Sequence, residues 1–181
     1  MDSALAPILQ RLHRLEAAAA SRACLTRYMQ LCDELTDATP WSELANLFAQ
    51  EAVWEGVGAR YSATFGRHEG RAAIMAMLQS YVAGSTHFQM NAHFLTSEHI
   101  VLNEAGDQAF GHWLMLQTSR FHDGRSHLTS AQLSVRFIQE NERWCMSQFQ
   151  TKNIFSRPIS AWDSDTALTV PAMAVSQPSR S

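Results

Sequence analysis

Three short polar breaks do most to limit what this chain can fold into. They are Asn103-Glu104-Ala105-Gly106-Asp107, Asp123-Gly124 and Glu140-Asn141-Glu142. The segments around them, 91–103, 108–121, 127–139 and 143–155, read as strands. Asp-Gly between two such runs is a strong hairpin signal. None of the breaks has the dozen or more residues that a parallel crossover needs, so the four strands must form an antiparallel meander. The chain has 181 residues, 46% of them apolar and 17% charged, which suits one domain around one packed core.

Helices precede the meander. Residues 4–36 are helix-rich, with Pro7 suited to a first turn and Ala17 to Ala20 strongly helix-forming. Cys24, Tyr28, Leu31 and Leu35 recur at helical spacing and mark one apolar stripe. Thr39-Pro40 opens a second, short helix, whose buried face is Trp41, Leu44, Leu47 and Phe48. A short strand covers Glu51 to Gly56. Residues 57–69, with Gly58 and Gly66, read as a loop or irregular hairpin before a third helix over 71–83. Helices first and an antiparallel sheet afterwards is an α+β layout. The domain is expected over 1–156. Residues 157–181, with Pro158, Pro171 and Pro178 among many Ser, Thr and Ala residues, read as a tail that Trp162 could pin down.

Composition removes several function classes. The net charge is −3, and the basic residues do not cluster, so no nucleic-acid footprint is expected. No apolar run is long enough to cross a membrane, and no signal-like segment opens the sequence, so the expected location is cytoplasmic. Cys24, Cys32 and Cys145 are odd in number and form no C-x-x-C, which argues against a disulfide framework or a structural zinc site. His87, His93 and His99 are spaced by six, about 20 Å along a strand, too far apart for two of them to share a metal. Neither a metal nor an organic cofactor is expected. No nucleophile elbow, phosphate loop or dinucleotide fingerprint is present.

The order of elements, together with Tyr28-x-x-x-x-Asp33, Leu44-x-x-Leu47-Phe48 leading to Val53-Trp54, Gly66 to Gly70 before Ile74, and His93-x-x-x-Ser97 before Gly106-Asp107-x-Ala109, resembles the nuclear transport factor 2-like fold. The details look like its SnoaL-like branch. The resemblance implies a curved antiparallel sheet shaped as a cone, with three helices packed over it around a pocket. Relatives of this kind include polyketide cyclases, scytalone and bile acid dehydratases, steroid isomerases and the small subunits of ring-hydroxylating dioxygenases.

In the dehydratases a Tyr and an Asp come from the first long helix and a His from the sheet. By matched position these are Tyr28, Asp33 and His93. The expected roles are oxygen-polarising donor for Tyr28, orienting carboxylate for Asp33 and general acid or base for His93. At about 100° per residue, Tyr28 and Asp33 point some 140° apart on an ideal helix, so they share a site only where the helix end is distorted or crosses the pocket mouth. Trp54, His87, His112, Gln132 and Gln148 are the candidate substrate-contacting residues. The last strand is expected to carry Trp144, Met146, Gln148, Gln150 and Lys152 on one face. The functional expectation is a cofactor-free lyase or isomerase acting on a cyclic, largely apolar small molecule, in a homo-oligomer (dimer or trimer). The alternatives are a ligand-binding or accessory protein without chemistry, or the small subunit of a ring-hydroxylating dioxygenase.

Overall fold

The structure is a computed structural model and describes residues 2–84 and 87–160, side chains from residue 5 onward. Trp162 and the rest of the expected tail lie outside the described residues. Among the described residues four helices, α1 (Asp2–Asp33), α2 (Trp41–Asn46), α3 (Gly58–Phe65) and α4 (Arg71–Gln79), are interleaved with six strands. The strands are β1 (Phe48–Val57), β2 (Arg67–Glu69), β3 (Phe88–Leu102), β4 (Gln108–Phe121), β5 (Ser126–Glu140) and β6 (Arg143–Ile159). They form one curved, unclosed sheet in the order β2-β1-β6-β5-β4-β3.

The meander β3 to β6 is antiparallel, as the short breaks require. One pairing differs from a wholly antiparallel sheet. β1 lies parallel to β6, with Trp54 opposite Phe149. Residues 58–142 separate these two strands, so the length limit that rules out parallel pairing inside the meander does not apply here.

The segment read as a loop contains α3, which makes four helices in place of three. Its glycines are boundaries and not loop markers. Gly58 opens the helix and Gly66 caps it, both at positive φ (76° and 67°). Between them Tyr61 and Phe65 sit at i, i+4, and their rings meet edge to face at 4.7 Å.

The core lies between the concave face of the sheet and α1. Phe48, Ala131, Leu133, Val135, Phe137 and Met146 are almost fully buried there, under Leu25 of α1. Ala17 and Ser21 are small and buried, which lets the α1 backbone approach the sheet. Gly111 serves the same close packing on β4. A Cβ at that position would run into the indole of Trp113, two residues on and on the same face.

Bulges break the simple alternation. On β6, Met146 pairs with Phe137 and Gln148 with Arg136, so Ser147 is an extra residue. Met146 therefore turns inward with Phe149 and Thr151, and the expected face of Trp144, Met146, Gln148, Gln150 and Lys152 is split. On β3 the register slips between Thr96 and His99, with Ser97 at φ 52°. Glu98 is thereby brought to accept from Arg22 of α1 (2.8 Å) and from Trp113 Nε1 (3.3 Å).

Candidate functional site

The concave side encloses a cavity of about 500 Å³, within the range of small-molecule sites. Its wall is mostly apolar and aromatic: Tyr28 and Met29 of α1, Trp54 of β1, Tyr61 and Phe65 of α3, Leu78 of α4, Met115 and Phe149 of the sheet. Partly exposed rings gather at one end. The rings of Tyr81, Phe88 and Phe121 all lie near His87, with centroids 4.6–5.4 Å away. Burial and the nearby Arg125 lower the basicity of the His87 imidazole, so it stays neutral at physiological pH.

Polar groups converge on one wall, where β3 and β4 run side by side. His93 and Asn91 are two apart on β3 and share the inward face, opposite Gln117 and Ser119 on β4. His93 Nδ1 lies 2.6 Å from Asp33 Oδ1. The Asp33 carboxylate also accepts from the backbone N–H of His93 at 3.1 Å to each oxygen. β3 is an edge strand, so this N–H points away from the ladder, and Asp33 covers it. Behind the pair, Ser119 Oγ and Gln117 Nε2 donate to Asn91 Oδ1 at 2.7 and 2.8 Å. Asn91 Nδ2 faces Asp33 Oδ1 and the carbonyl of Cys32 at 3.5 Å.

Asp33 is the last residue of α1. This resolves the 140° between Tyr28 and Asp33. Tyr28 points from the middle of the last turns into the cavity, whereas Asp33 leaves at the helix end and reaches the site from behind, through His93. Tyr28 and His93 line the cavity wall and Asp33 does not. Among the described residues His93 Nε2 has no partner, so the nitrogen opposite the Asp33 contact is open to a bound molecule.

The Tyr28 hydroxyl accepts a hydrogen bond from Trp54 Nε1 at 3.0 Å. The phenol ring is held edge to face against Phe48 and Phe149 at 5.2 and 5.3 Å. Burial raises the hydroxyl well above the usual tyrosine range, so it keeps its proton. The hydroxyl accepts from the indole and its own proton faces the Cys32 thiol, a weak acceptor that a ligand oxygen would outcompete.

Of the expected contact residues, Trp54 and His87 line the cavity. His112, Gln132 and Gln148 do not. His112 and Gln132 are exposed on the outer face, because they alternate with inward Trp113 and Leu133. His112 pairs with His99 and meets Ser134 Oγ at 3.1 Å. Gln148 follows the Ser147 bulge onto the outer face and donates to Glu55 Oε1 at 3.2 Å. Among the described residues no group of three or more His, Cys, Asp and Glu side chains is placed to hold a metal.

Asn91, Gln117 and Ser119 are site residues that sequence reasoning missed. A signal existed. The inward positions of β4 run Ala109, Gly111, Trp113, Met115 and then turn polar at Gln117 and Ser119. Polar residues at core parity mark a pocket or a satisfied network.

A SnoaL-like domain model matches residues 13–150, and the chain belongs to that family. No curated protein matches it in sequence. Among solved structures it is similar to a type 2 hexachlorocyclohexane dehydrochlorinase, LinA, with 15% identity over 90% of this chain and 99% of that one, TM-score 0.69. It is also similar to a putative scytalone dehydratase from Novosphingobium aromaticivorans, with 15% identity over 80% and 89%, TM-score 0.66. A putative aromatic ring hydroxylase from the same organism gives 17% identity over 80% and 94%, TM-score 0.67. At these identities the likeness is one of fold.

Proposed function

We propose that this chain is a cofactor-free lyase or isomerase that moves a proton on a cyclic, largely apolar small molecule. One observation carries the reading: His93 is held through Nδ1 by Asp33 at 2.6 Å on the wall of an apolar cavity. Asp33 fixes the tautomer, so Nε2 presents its lone pair to the cavity as a general base. Tyr28, braced by Trp54, donates to an oxygen on which negative charge grows, such as that of an enolate. Loss of a leaving group from the adjacent carbon completes an elimination; return of the proton elsewhere completes an isomerisation. His93 in its protonated form returns the proton to carbon in an isomerisation and gives it to a departing hydroxyl in a dehydration; a halide leaves as the anion. The dehydrochlorinase and dehydratase with this fold support the class of reaction.

The test uses cyclic ketones bearing a β-leaving group, followed by NMR in D₂O. The expected result is exchange or elimination at the carbon next to the carbonyl. His93→Ala should slow it about 10²–10⁴-fold, the usual contribution of one acid–base group. Asp33→Asn should slow it less, and Tyr28→Phe should lower turnover while costing about 1–3 kcal/mol of stability, because the buried Trp54 indole N–H loses its acceptor. Ligands that bind wild type and His93→Ala equally, with no exchange in either, would instead favour a binding protein without chemistry.

A further inference from the structure

α1 carries two apolar stripes, and only one of them faces the domain. The inner stripe, Ala17, Ser21, Cys24 and Tyr28, is buried against the sheet. The outer stripe is Leu5, Ile8, Leu12 and Leu15, flanked by Leu9, and these side chains are 48–62% exposed. At 100° per residue the two stripes lie about 170° apart, so packing against the sheet leaves the second in water. Along the helix, Arg14 Nη1 binds the carbonyl of Asn103 at 3.0 Å, and most of the outer stripe precedes that contact.

The spacing of the outer stripe is 3, 4, 3, and Ala19 continues it. That is the a/d pattern of a coiled-coil seam: Leu5, Leu12 and Ala19 at a, Ile8 and Leu15 at d. Arg11 then falls at g and Glu16 at e. In a parallel pair, g of one helix faces the e position five residues on in the other. Arg11 of one copy meets Glu16 of the second, twice by symmetry. An antiparallel pair would set Arg11 near Arg11, like charge on like. The outer sheet face also exposes Phe94, Leu114 and Leu116, but Gln132 and Lys152 interrupt it.

We propose that the outer face of α1 is the seam of a parallel, two-fold homodimer, with a second copy of this chain as its occupant. Because the seam and the sheet-docking stripe lie on opposite sides of the helix, the two domains sit outside the helix pair without competing for it. The contact is isologous, as closed dimers require.

Sedimentation velocity on the full chain, over a concentration series, tests this. A species of twice 20.3 kDa is expected. Leu12→Asp/Leu15→Asp should return it to monomer with an unchanged circular dichroism spectrum, since neither side chain enters the core. Arg11→Glu should raise the dimer dissociation constant about five- to tenfold, and adding Glu16→Arg should restore it. A Leu12→Cys variant should form an interchain disulfide on mild oxidation, with no background from the three buried native thiols. A wild-type monomer at all concentrations overturns the proposal. So does a dimer that survives Leu12→Asp/Leu15→Asp, which would move the interface elsewhere. A dimer whose Leu12→Cys variant fails to cross-link overturns the parallel arrangement.

Discussion

Truncating Asp33 should cost the fold more than truncating His93, although the two share one hydrogen bond. The Asp33 carboxylate accepts both the His93 ring and the His93 backbone N–H. His93→Ala removes only the ring contact, because the backbone N–H of β3 remains. Asp33→Ala removes both and strips the cover from an edge-strand N–H. A hydrogen bond to a charged group contributes about 1.5–3 kcal/mol net. A carboxylate at a helix C-terminus opposes the helix dipole, so its removal returns about 0.5 kcal/mol. Asp33→Ala is therefore expected to lose about 2.5–5.5 kcal/mol and His93→Ala about 1.5–3 kcal/mol. Asp33→Asn should fall between them. Urea unfolding followed by far-ultraviolet circular dichroism measures this. With a slope near 2 kcal/mol/M, the two alanine variants should differ by about 0.5–1.3 M in midpoint. Nitrogen-15 NMR adds a readout that bulk stability does not move. Wild type should show the neutral His93 ring protonated at Nδ1, and Asp33→Ala should not. Equal midpoints, or a larger loss in His93→Ala, would refute the assignment of Asp33 as the link between the end of α1 and β3.

Gly111→Ala should destabilise by about 1–3 kcal/mol, the usual cost of overpacking, and shift the Trp113 emission; an unchanged urea midpoint would mean that the indole does not lie over Gly111. Glu98 is held below its ordinary value of 4.5, chiefly by its hydrogen bond from Arg22. Its folded form is thus more acidic than its unfolded form, so the stability it lends is present above the ordinary value and lost as pH falls through the folded one. Half-exposure of Arg22 keeps this below about 1 kcal/mol, and Glu98→Gln should flatten the decline in stability between about pH 5 and about pH 3. Burial pushes Cys24 and Cys32 up to about 12. Native protein should therefore resist iodoacetamide at neutral pH and label fully in denaturant, as counted by intact-mass spectrometry.

The meander was legible because loop length is a hard geometric limit, and three short breaks leave no other pairing. The family could be read because element order and several spaced residues agree. The site was only partly legible. His93 meets Asp33, and Tyr28 lines the same cavity as His93, although helix periodicity sets Tyr28 and Asp33 on different sides of α1. What reconciles them is the end of α1 at Asp33, which apolar periodicity does not mark. His112, Gln132 and Gln148 were misplaced for a related reason. A period of two predicts which residues share a face, but not which face is concave, and a single bulge at Ser147 reverses the parity beyond it. α3 was hidden because glycine punctuates helices as well as loops. The placement of Asp33 breaks the rule that helix C-termini carry cations, and such local violations concentrate at functional sites.

The pairing of β1 with β6 has a consequence for how the protein is made. Trp54, the brace of Tyr28, leaves the ribosome long before Phe149, against which it stacks at 5.5 Å. During synthesis α1 and β1 emerge early but have no parallel neighbour until the last strand arrives. The cavity is therefore completed late, and its completion depends on a contact between distant parts of the chain, which slows folding. A nascent chain that stops within β5 would leave the strand edges of β1 and β5 open to other chains, so the final strand is both a wall of the site and the piece that closes the sheet against aggregation.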